Sequence, residues 1–584
     1  MNLRRVASRQ GLVRAALVSR VGLRLERRGA RRALGLLAAG AVWAGCAADG
    51  GADEGPGLRF ASLGVCQATG NDDRQIPGDI DRIVVELSEG ALPSPRRVQA
   101  AVSEASAQGE LVLPGVPTGA GYRLRVAGCQ GTTARWGGEA RDVAVAEFEK
   151  SFPDVFLTPL GQFACMGNAR SSDGARRLSE PRVFGALAAG QDVAWAVGGA
   201  KRLTGTTLEG GSGIDRVDRL SGEVSSAGSL VAPRVMALAR VLDGGTVRVV
   251  GGATKIQLAA AGKPAIWANP ADAPAHGSEV FDPLTRESRA EYEAPLPALP
   301  ALGAMTSGAI VAVGGSVSGA GGAADFSDAL SIITVKTATA AQLSTKRFGA
   351  VVVELAPNLA LVWGGNVDGD PARTGLLVDA SKPAGEAVTE LTVSGGGAVA
   401  LFPAAAVVGV NGDVFSVLVA GGGNIASGGA FPPKVDAARL ELVTVDTAAG
   451  TASVTTVDRG AFAAGAFARG AAQLAVLSGG ELVFFGGYTA FSQSSFCTST
   501  TDCIQITALR FRVGTGAAPS LEQVGAPTEL SVGPLGASAV ALSDGAWLFT
   551  GGVESVAKAL DPTAALIRWG PFDPDPCQEP LPTP

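Results

Sequence analysis

The most regular feature of this chain is a mostly apolar run of four or five residues that ends in two glycines. The run occurs seven times, and successive first glycines lie 50 to 65 residues apart. Runs without polar alternation predict strands that are buried on both faces. Paired glycines allow a sharp backbone turn where neighbouring repeats crowd together. The pairs are Gly198-Gly199, Gly251-Gly252, Gly314-Gly315, Gly364-Gly365, Gly421-Gly422, Gly486-Gly487 and Gly551-Gly552.

Further strand signals surround each glycine pair. Turns such as 242–245 (Leu-Asp-Gly-Gly) predict a hairpin between the apolar run and an earlier strand. Arginine precedes that earlier strand in three repeats, at Arg182, Arg234 and Arg347. Because one repeat cannot bury both of its faces alone, we expect the repeats to close into a ring. A later strand often ends in an apolar residue followed by aspartate, at Asp218, Asp282, Asp379, Asp446 and Asp561.

This pattern resembles the kelch repeat, most clearly in Glu-Val-Phe-Asp-Pro-Leu-Thr at 279–285. The resemblance covers roughly 400 residues. It implies an all-β fold in which a seven-bladed kelch-like β-propeller occupies residues 165–577. The third and sixth repeats lack the aspartate, and the later tryptophan of the family occurs only as Trp569.

The segment before the repeats predicts a smaller β domain. Residues 82–86 and 122–126 alternate apolar and polar positions, and Gly- and Pro-rich turns lie between them. The phrase from Glu110 to Cys129 resembles carboxypeptidase-regulatory-like and other immunoglobulin-like sandwiches. We therefore expect a small immunoglobulin-like β-sandwich over residues 58–160.

The N-terminus has the features of an export signal. An Arg-rich stretch is followed by about 11 apolar residues, too few to span a bilayer. The next residues, Trp43-Ala44-Gly45-Cys46, resemble a bacterial lipobox, although the family usually has an aliphatic residue in place of Trp43. The resemblance implies a signal peptide at 1–45, a lipid-modified Cys46 and a flexible tether at 46–57. The alternative is a plain secretory signal. Ala47 favours the outer membrane, since Asp at this position retains many lipoproteins at the inner membrane.

Six cysteines remain if Cys46 is acylated, and an even number in an exported chain predicts three disulfides. Cys497 and Cys503 bracket a short loop and are expected to pair. Cys66 and Cys129 fall in the same predicted domain. Cys165 and Cys577 flank the propeller, so we expect them to clasp the ring; the alternative is that Cys165 pairs within the small domain.

The composition argues against several kinds of chemistry. Removal of the leader, which carries ten Arg and one Glu, changes the net charge from −6 to −15, and such acidity disfavours nucleic acid. Galactose-oxidase-type kelch enzymes bind copper with two His and two Tyr, but His276 is the only histidine. No metal, cofactor or catalytic residue is predicted. A calcium loop at 366–370 is less expected than an ordinary turn.

The loops after the glycine pairs should gather on one face of the ring. They carry aromatic residues that form a candidate binding face, and the alternative is that these residues cover their own loops. We expect a monomeric, non-catalytic envelope protein whose propeller is a binding or scaffold module for protein or glycan. The alternative is an extracellular carbohydrate-active enzyme, of mutarotase or lyase type, with carboxylates and arginines in the central funnel. An apolar funnel favours binding. The candidate residues are Trp267, Phe431, Tyr488 and Phe491.

Overall fold

The computed structural model is almost entirely β-structure. No helix in the part of the chain that it describes is long and apolar enough to cross a membrane. The described residues are 57–58, 60–62, 78–102, 111–112, 116–145, 155–161, 163–165, 178–190, 193–218, 224–258, 264, 266–319, 324–334, 337–365, 375–395, 401–422, 440–463, 465–477, 480–488, 507–514, 518–525, 527–529, 535–542, 547–553, 564–567 and 576–578.

The first eight strands form the small N-terminal domain. Six of them make one sheet in the order β2-β8-β7-β6-β3-β4, and β1 pairs with β5. Alternate residues of β3, such as Ile83, Val85 and Leu87, lie in one apolar core. The small β domain is present, and its assignment as an immunoglobulin-like sandwich stays a prediction. The strands are β1 (Gly57–Leu58), β2 (Phe60–Ser62), β3 (Arg82–Glu89), β4 (Arg96–Ala101), β5 (Leu111–Val112), β6 (Gly119–Gln130), β7 (Thr133–Val145) and β8 (Val155–Pro159).

The remaining strands form seven antiparallel blades and the loops between them. In chain order they are β9 (Phe163–Cys165), β10 (Ala186–Ala189), β11 (Val193–Val197), β12 (Ala200–Thr204), β13 (Thr207–Gly210), β14 (Gly213–Asp218), β15 (Val224–Ser229), β16 (Leu238–Val241), β17 (Val247–Val250), β18 (Lys255–Leu258), β19 (Ile266–Trp267), β20 (Ser278–Asp282), β21 (Glu287–Tyr292), β22 (Ala301–Ala304), β23 (Ile310–Val313), β24 (Ser316–Ser318), β25 (Ala324–Ile333), β26 (Ala338–Arg347), β27 (Val351–Ala356), β28 (Leu359–Trp363), β29 (Gly375–Asp379), β30 (Val388–Glu390), β31 (Thr392–Ser394), β32 (Ala404–Asn411), β33 (Val414–Ala420), β34 (Leu440–Asp446), β35 (Thr451–Thr456), β36 (Gln473–Val476), β37 (Leu482–Phe485), β38 (Thr507–Gly514), β39 (Ser520–Gln523), β40 (Thr528–Glu529), β41 (Leu535–Ala541), β42 (Trp547–Val553) and β43 (Ala564–Ile567). Three short 3₁₀ helices are η1 (Pro270–Asp272), η2 (Ala384–Glu386) and η3 (Pro576–Gln578).

Blades 1 to 7 contain, in order, β10-β11-β14-β15, β16-β17-β20-β21, β22-β23-β25-β26, β27-β28-β29-β30, β32-β33-β34-β35, β36-β37-β38-β39 and β41-β42-β43-β9. The first strands of successive blades contact one another around the ring, and β41 returns to contact β10. The predicted seven-bladed, kelch-like propeller is therefore confirmed.

The apolar runs pack on both sides, as their sequence predicts. In β28, Ala360 and Val362 pack toward blade 3, whereas Leu361 and Trp363 pack toward blade 5. Each of the seven interfaces between neighbouring blades has its own apolar cluster. Continuous burial of this kind explains why the second strand of each blade tolerates so few polar residues.

The glycine pairs adopt backbone conformations that other residues avoid. All fourteen glycines have positive φ, between 58° and 108°. A Cβ on Gly551 lies 1.8 Å from the carbonyl oxygen of Arg182 in blade 1. The N–H of Gly552 donates to that same oxygen at 2.9 Å. The pair thus joins adjacent blades through the backbone, which requires glycine on both conformational and steric grounds.

The ring closes through a strand from the N-terminal side. Strand β9 pairs antiparallel with β43, and Cys165 lies opposite Ala565. This strand completes blade 7 before the chain enters blade 1, so hydrogen bonds between the two ends hold the ring together. A β-strand thus closes the ring, whereas the sequence analysis expected a disulfide between Cys165 and Cys577 to do so.

The disulfide pattern differs from the prediction. Cys577 bonds to Cys129, with a Cα–Cα distance of 5.7 Å, so the expected pair Cys165–Cys577 is wrong, and Cys129 does not pair with a cysteine of its own domain. Helix η3 carries Cys577 back to the small domain, where it packs against β6 and β7. Arg82 fixes this tail by donating to the Cys577 carbonyl at 2.7 Å. Cys46, Cys66, Cys497 and Cys503 lie outside the described residues.

Candidate functional site

The innermost strands surround an axial channel with a cavity of about 240 Å³. Residues from all seven blades line it, because each blade turns the edge of its first strand toward the axis. None of the lining side chains is ionisable. They are Phe184, Gly185, Met236, Ala237, Leu238, Leu299, Pro300, Ala301, Leu302, Gly349, Ala350, Phe402, Gln473 and Ser538.

One level of this channel is built from residues with unusual backbone conformations. The same position in all seven blades has positive φ, and in five blades the residue is not glycine. Hydrogen bonds link neighbouring members around the axis: Phe184 N–H donates to Gly536 O at 2.7 Å, and Met236 N–H donates to Phe184 O at 2.9 Å. The backbone is therefore strained where the blades meet around the axis. The seven residues are Phe184, Met236, Leu299, Gly349, Phe402, Ala471 and Gly536.

An apolar cap closes one end of the channel. The loops after the glycine pairs of blades 1 and 2 form an extra sheet, β12-β13-β18-β19. Its apolar residues, including Leu208 and Ile256, belong to one cluster with residues from all seven blades, such as Phe402 in blade 5 and Leu535 in blade 7. This single cluster therefore joins the extra sheet to residues from every blade.

The cap contains two residues of the predicted binding face, and this part of the prediction is wrong. Trp267 and Tyr488 are 1% and 2% exposed. Trp267 packs 5.7 Å from Phe326 and 5.2 Å from Phe348, measured between ring centroids. Burial raises the pKa of the Tyr488 hydroxyl. These aromatics cover their own loops, which was the alternative interpretation. Phe431 and Phe491 lie outside the described residues.

Buried arginines lie beside the channel, and their hydrogen bonds stabilise the propeller. Arg234 donates to Gly251 O at 2.7 Å and pairs with Glu279 at 2.8 Å, and both of these side chains are fully buried. Its carbonyl accepts the N–H of Gly199 in blade 1 at 2.7 Å. Burial lowers the pKa of Arg234, and the charge of Glu279 and the hydrogen bond to it only partly offset this effect. The side-chain bonds of Arg234 lie within blade 2, and its carbonyl makes the bond to blade 1. Neither Arg234 nor Glu279 is among the residues that line the channel.

The sequence analysis missed the fourth arginine of this set. The backbone carbonyl of Arg469 in blade 6 accepts the N–H of Gly422 at 2.8 Å, and its guanidinium donates to Thr507 O at 2.7 Å. Burial lowers its pKa to about 10. A signal was present, since Arg182, Arg234, Arg347 and Arg469 each lie four residues before the first strand of their blade.

The described residues assemble no metal site. Within the ranges given above, no group of three or more His, Cys, Asp or Glu side chains could hold a metal ion. His276 lies before β20, and its carbonyl oxygen accepts a hydrogen bond from Arg234 at 2.7 Å. The weak calcium candidate at 366–370 lies outside the described residues.

The chain was compared with family models, curated proteins and solved structures. No family model matches the chain, and no curated protein matches it. A copper-bound fungal alcohol oxidase of the AA5 family is 14% identical, with a TM-score of 0.46 over 67% of this chain and 74% of the oxidase. The structure of YjhT is 12% identical, with a TM-score of 0.37 over 59% of this chain and 99% of YjhT. The likeness concerns the fold. The chain is a kelch-like propeller. At these identities the propeller implies no activity.

Proposed function

We propose that this protein is a lipid-anchored protein of the cell envelope whose propeller is a non-catalytic binding or scaffold module for protein or glycan. In this proposal Cys46 carries the lipid, and Ala47 favours the outer membrane. The observation that carries the non-catalytic interpretation is the lining of the channel, where none of the described side chains is ionisable.

The carbohydrate-active alternative requires carboxylates and arginines that face a substrate in the funnel. The two polar side chains of the lining already have partners in the protein. Gln473 Nε2 donates to Ala537 O at 2.9 Å, and the Ser538 hydroxyl donates to Gly185 O. The buried charges near the axis are bonded within their blades, as Arg234 is to Glu279. The binding interpretation is therefore preferred.

The anchor and the binding activity are tested separately. Radiolabelled palmitate should enter the full chain and should not enter Cys46→Ala. If the wild-type protein takes up no label, the lipid anchor is refuted. The purified Cys46→Ala chain is then incubated with a panel of envelope glycans and assayed for both binding and turnover. Binding without product formation is the expected result, whereas catalytic turnover of any glycan refutes the non-catalytic assignment.

A further inference from the structure

The strand seam that closes the ring is short, and its two chains leave it at the same end. Strand β9 pairs with β43 over three residues, and the pair at one end joins Phe163 to Ile567. The chain before Phe163 leads back to the small domain. The chain after Ile567 leads to Cys577, which bonds to Cys129 of that domain. The disulfide therefore joins the two chains that come out of the seam.

The disulfide is held in a buried part of the small domain. Cys129 and Cys577 are fully buried in one cluster with Val84 and Ala127. Arg82 also holds the tail, since its guanidinium donates to the Cys577 carbonyl at 2.7 Å. Helix η3, which carries Cys577, packs against β6 and β7. The C-terminal tail is thus fixed to the same sheet that precedes β9 in the chain.

The bond limits how far the two strands of the seam can separate. Cys129 lies 34 residues before Phe163, and Cys577 lies ten residues after Ile567, so the route across the disulfide is 44 residues long. Without the bond, Phe163 and Ile567 are joined only through the 404 residues between them. Because the entropic cost of closing a flexible loop rises with its length, a route of 44 residues favours the closed seam roughly 30-fold over one of 404.

We propose that the Cys129–Cys577 disulfide is a covalent strap that keeps the propeller closed when the seam between β9 and β43 opens. Blades 1 and 7 also contact each other through β10 and β41, and Ala196 and Leu548 belong to the apolar cluster between them. The ring opens only when both the seam and this interface are lost. With the strap in place, the separated ends stay close and pair again, whereas without it they are free to move apart.

The strap also determines how tension reaches the ring. In the anchored protein proposed above, tension between the lipid and a bound partner passes through the small domain. Without the disulfide, this tension acts on Phe163 alone and pulls β9, a strand of three residues, away from β43. With the disulfide, the tension divides between Phe163 and Ile567, which are paired and are pulled from the same end. This consequence rests on the proposed anchor, whereas the strap itself does not.

Native-state hydrogen exchange of the full chain with Cys46→Ala tests the strap. Mass spectrometry follows peptides that contain β9, β43 and, for comparison, β28 in blade 4. The variant Cys129→Ala/Cys577→Ala removes the bond and keeps small apolar side chains in the buried cluster. Exchange in β9 and β43 should become at least about tenfold faster than in the parent, because the longer route disfavours the closed seam, and β28 should change less. If β9 and β43 accelerate no more than β28, the bond acts only on the unfolded chain and the proposal is overturned.

Gly314→Ala is the matched control, because it weakens a different junction and leaves the strap intact. A Cβ at Gly314 would meet the carbonyl oxygen of Arg347, at the junction of blades 3 and 4. This variant should therefore accelerate exchange in β23 and β28 more than in β9. If it accelerates β9 as much as the loss of the disulfide does, any loss of stability opens the seam, and the strap is refuted.

A variant with an intact disulfide keeps the proposal testable even if the cysteine variant does not fold. Phe163→Pro/Ala164→Pro disrupts the seam, because the N–H groups of consecutive strand residues point to opposite edges and one of the two must face β43. The strap should still hold blades 1 and 7 together, so β10 and β41 should keep the protection that they have in the parent. Loss of that protection overturns the proposal. Circular dichroism verifies that each variant is folded.

Failure of the strap differs from failure of the proposed function. Absence of palmitate labelling removes the anchor, and with it the tension through the small domain, but it leaves the exchange results unchanged. Glycan turnover refutes the non-catalytic function whatever the exchange rates are. Exchange rates that refute the strap leave the anchor and the binding activity to their own tests.

Discussion

Arg234→Met tests the buried guanidinium of Arg234, whose hydrogen bonds lie within blade 2. The guanidinium donates to Glu279, to the Gly251 carbonyl and to the His276 carbonyl, at 2.9, 2.7 and 2.7 Å. Methionine keeps the apolar part of the side chain but leaves the buried carboxylate without its cation. Removal of one partner from a buried ion pair costs about 3–5 kcal/mol, and we expect a loss of stability in this range.

The charge left on Glu279 should account for much of this cost. That carboxylate also accepts the Val231 N–H at 2.6 Å, so replacing it by an apolar residue would remove a second contact. Glu279→Gln removes the charge and keeps an acceptor. We therefore expect Arg234→Met/Glu279→Gln to be more stable than Arg234→Met alone, because an unpaired buried charge is costlier than a neutral amide.

Urea unfolding followed by tryptophan fluorescence measures these free energies, with Arg216→Ala as the matched control. Arg216 pairs with Asp218 at 3.1 Å, but its side chain is 39% exposed, so this variant should lose no more than about 1 kcal/mol. Equal losses in Arg234→Met and Arg216→Ala would show that burial of the pair does not determine its contribution. If the double variant is less stable than Arg234→Met, the unpaired carboxylate of Glu279 is not the cause of the lost stability.

Three further predictions concern the glycine pairs, the disulfide and the cap. Gly551→Ala should cost about 3 kcal/mol or more in the same assay, because its Cβ meets Arg182 O at 1.8 Å, whereas Gly244→Ala, with φ 95° and open space around it, should cost only about 1 kcal/mol. Cys577→Ser should lower the urea midpoint under oxidising conditions, since the chain-entropy model gives the disulfide a stabilisation of about 6 kcal/mol for a sequence separation of 448. An unchanged midpoint would show that the disulfide does not stabilise the fold. Burial raises the pKa of Tyr488, so the hydroxyl ionises at lower pH in the unfolded chain than in the folded one, and stability falls as the pH rises above about 10. Tyr488→Phe should remove this part of the alkaline loss of stability, as measured by melting at a series of pH values. Identical alkaline profiles of the variant and the parent would contradict this prediction.

The blade architecture was predictable because its signals are local. Each apolar run and its glycine pair fall within about seven residues, and the positive φ of pairs such as Gly198-Gly199 follows from a turn that only glycine makes easily. The aspartates at the ends of third strands behave in the same way: Asp282 accepts the N–H of Leu284 at 2.8 Å and ends β20. Seven repeats of a local signal were sufficient to count the blades.

The site was less predictable because burial is decided by what covers a residue. Trp267 follows a glycine pair in a loop, a position typical of exposed binding residues. In the fold, two loops pair into β12-β13-β18-β19 and turn their apolar residues onto the ring, which buries Trp267. The apolar lining of the channel was likewise invisible, since the lining residues of different blades are far apart in sequence.

The sequence by itself determined a β domain and seven repeats that must share their apolar faces, since these follow from the spacing of apolar residues and glycines along short segments. Only the tertiary structure decided which cysteine Cys577 meets, which arginines join the blades, and which loops close the axis. Each of those contacts joins residues from distant parts of the chain, and spacing along the chain does not specify the meeting of two distant segments until the whole ring has closed.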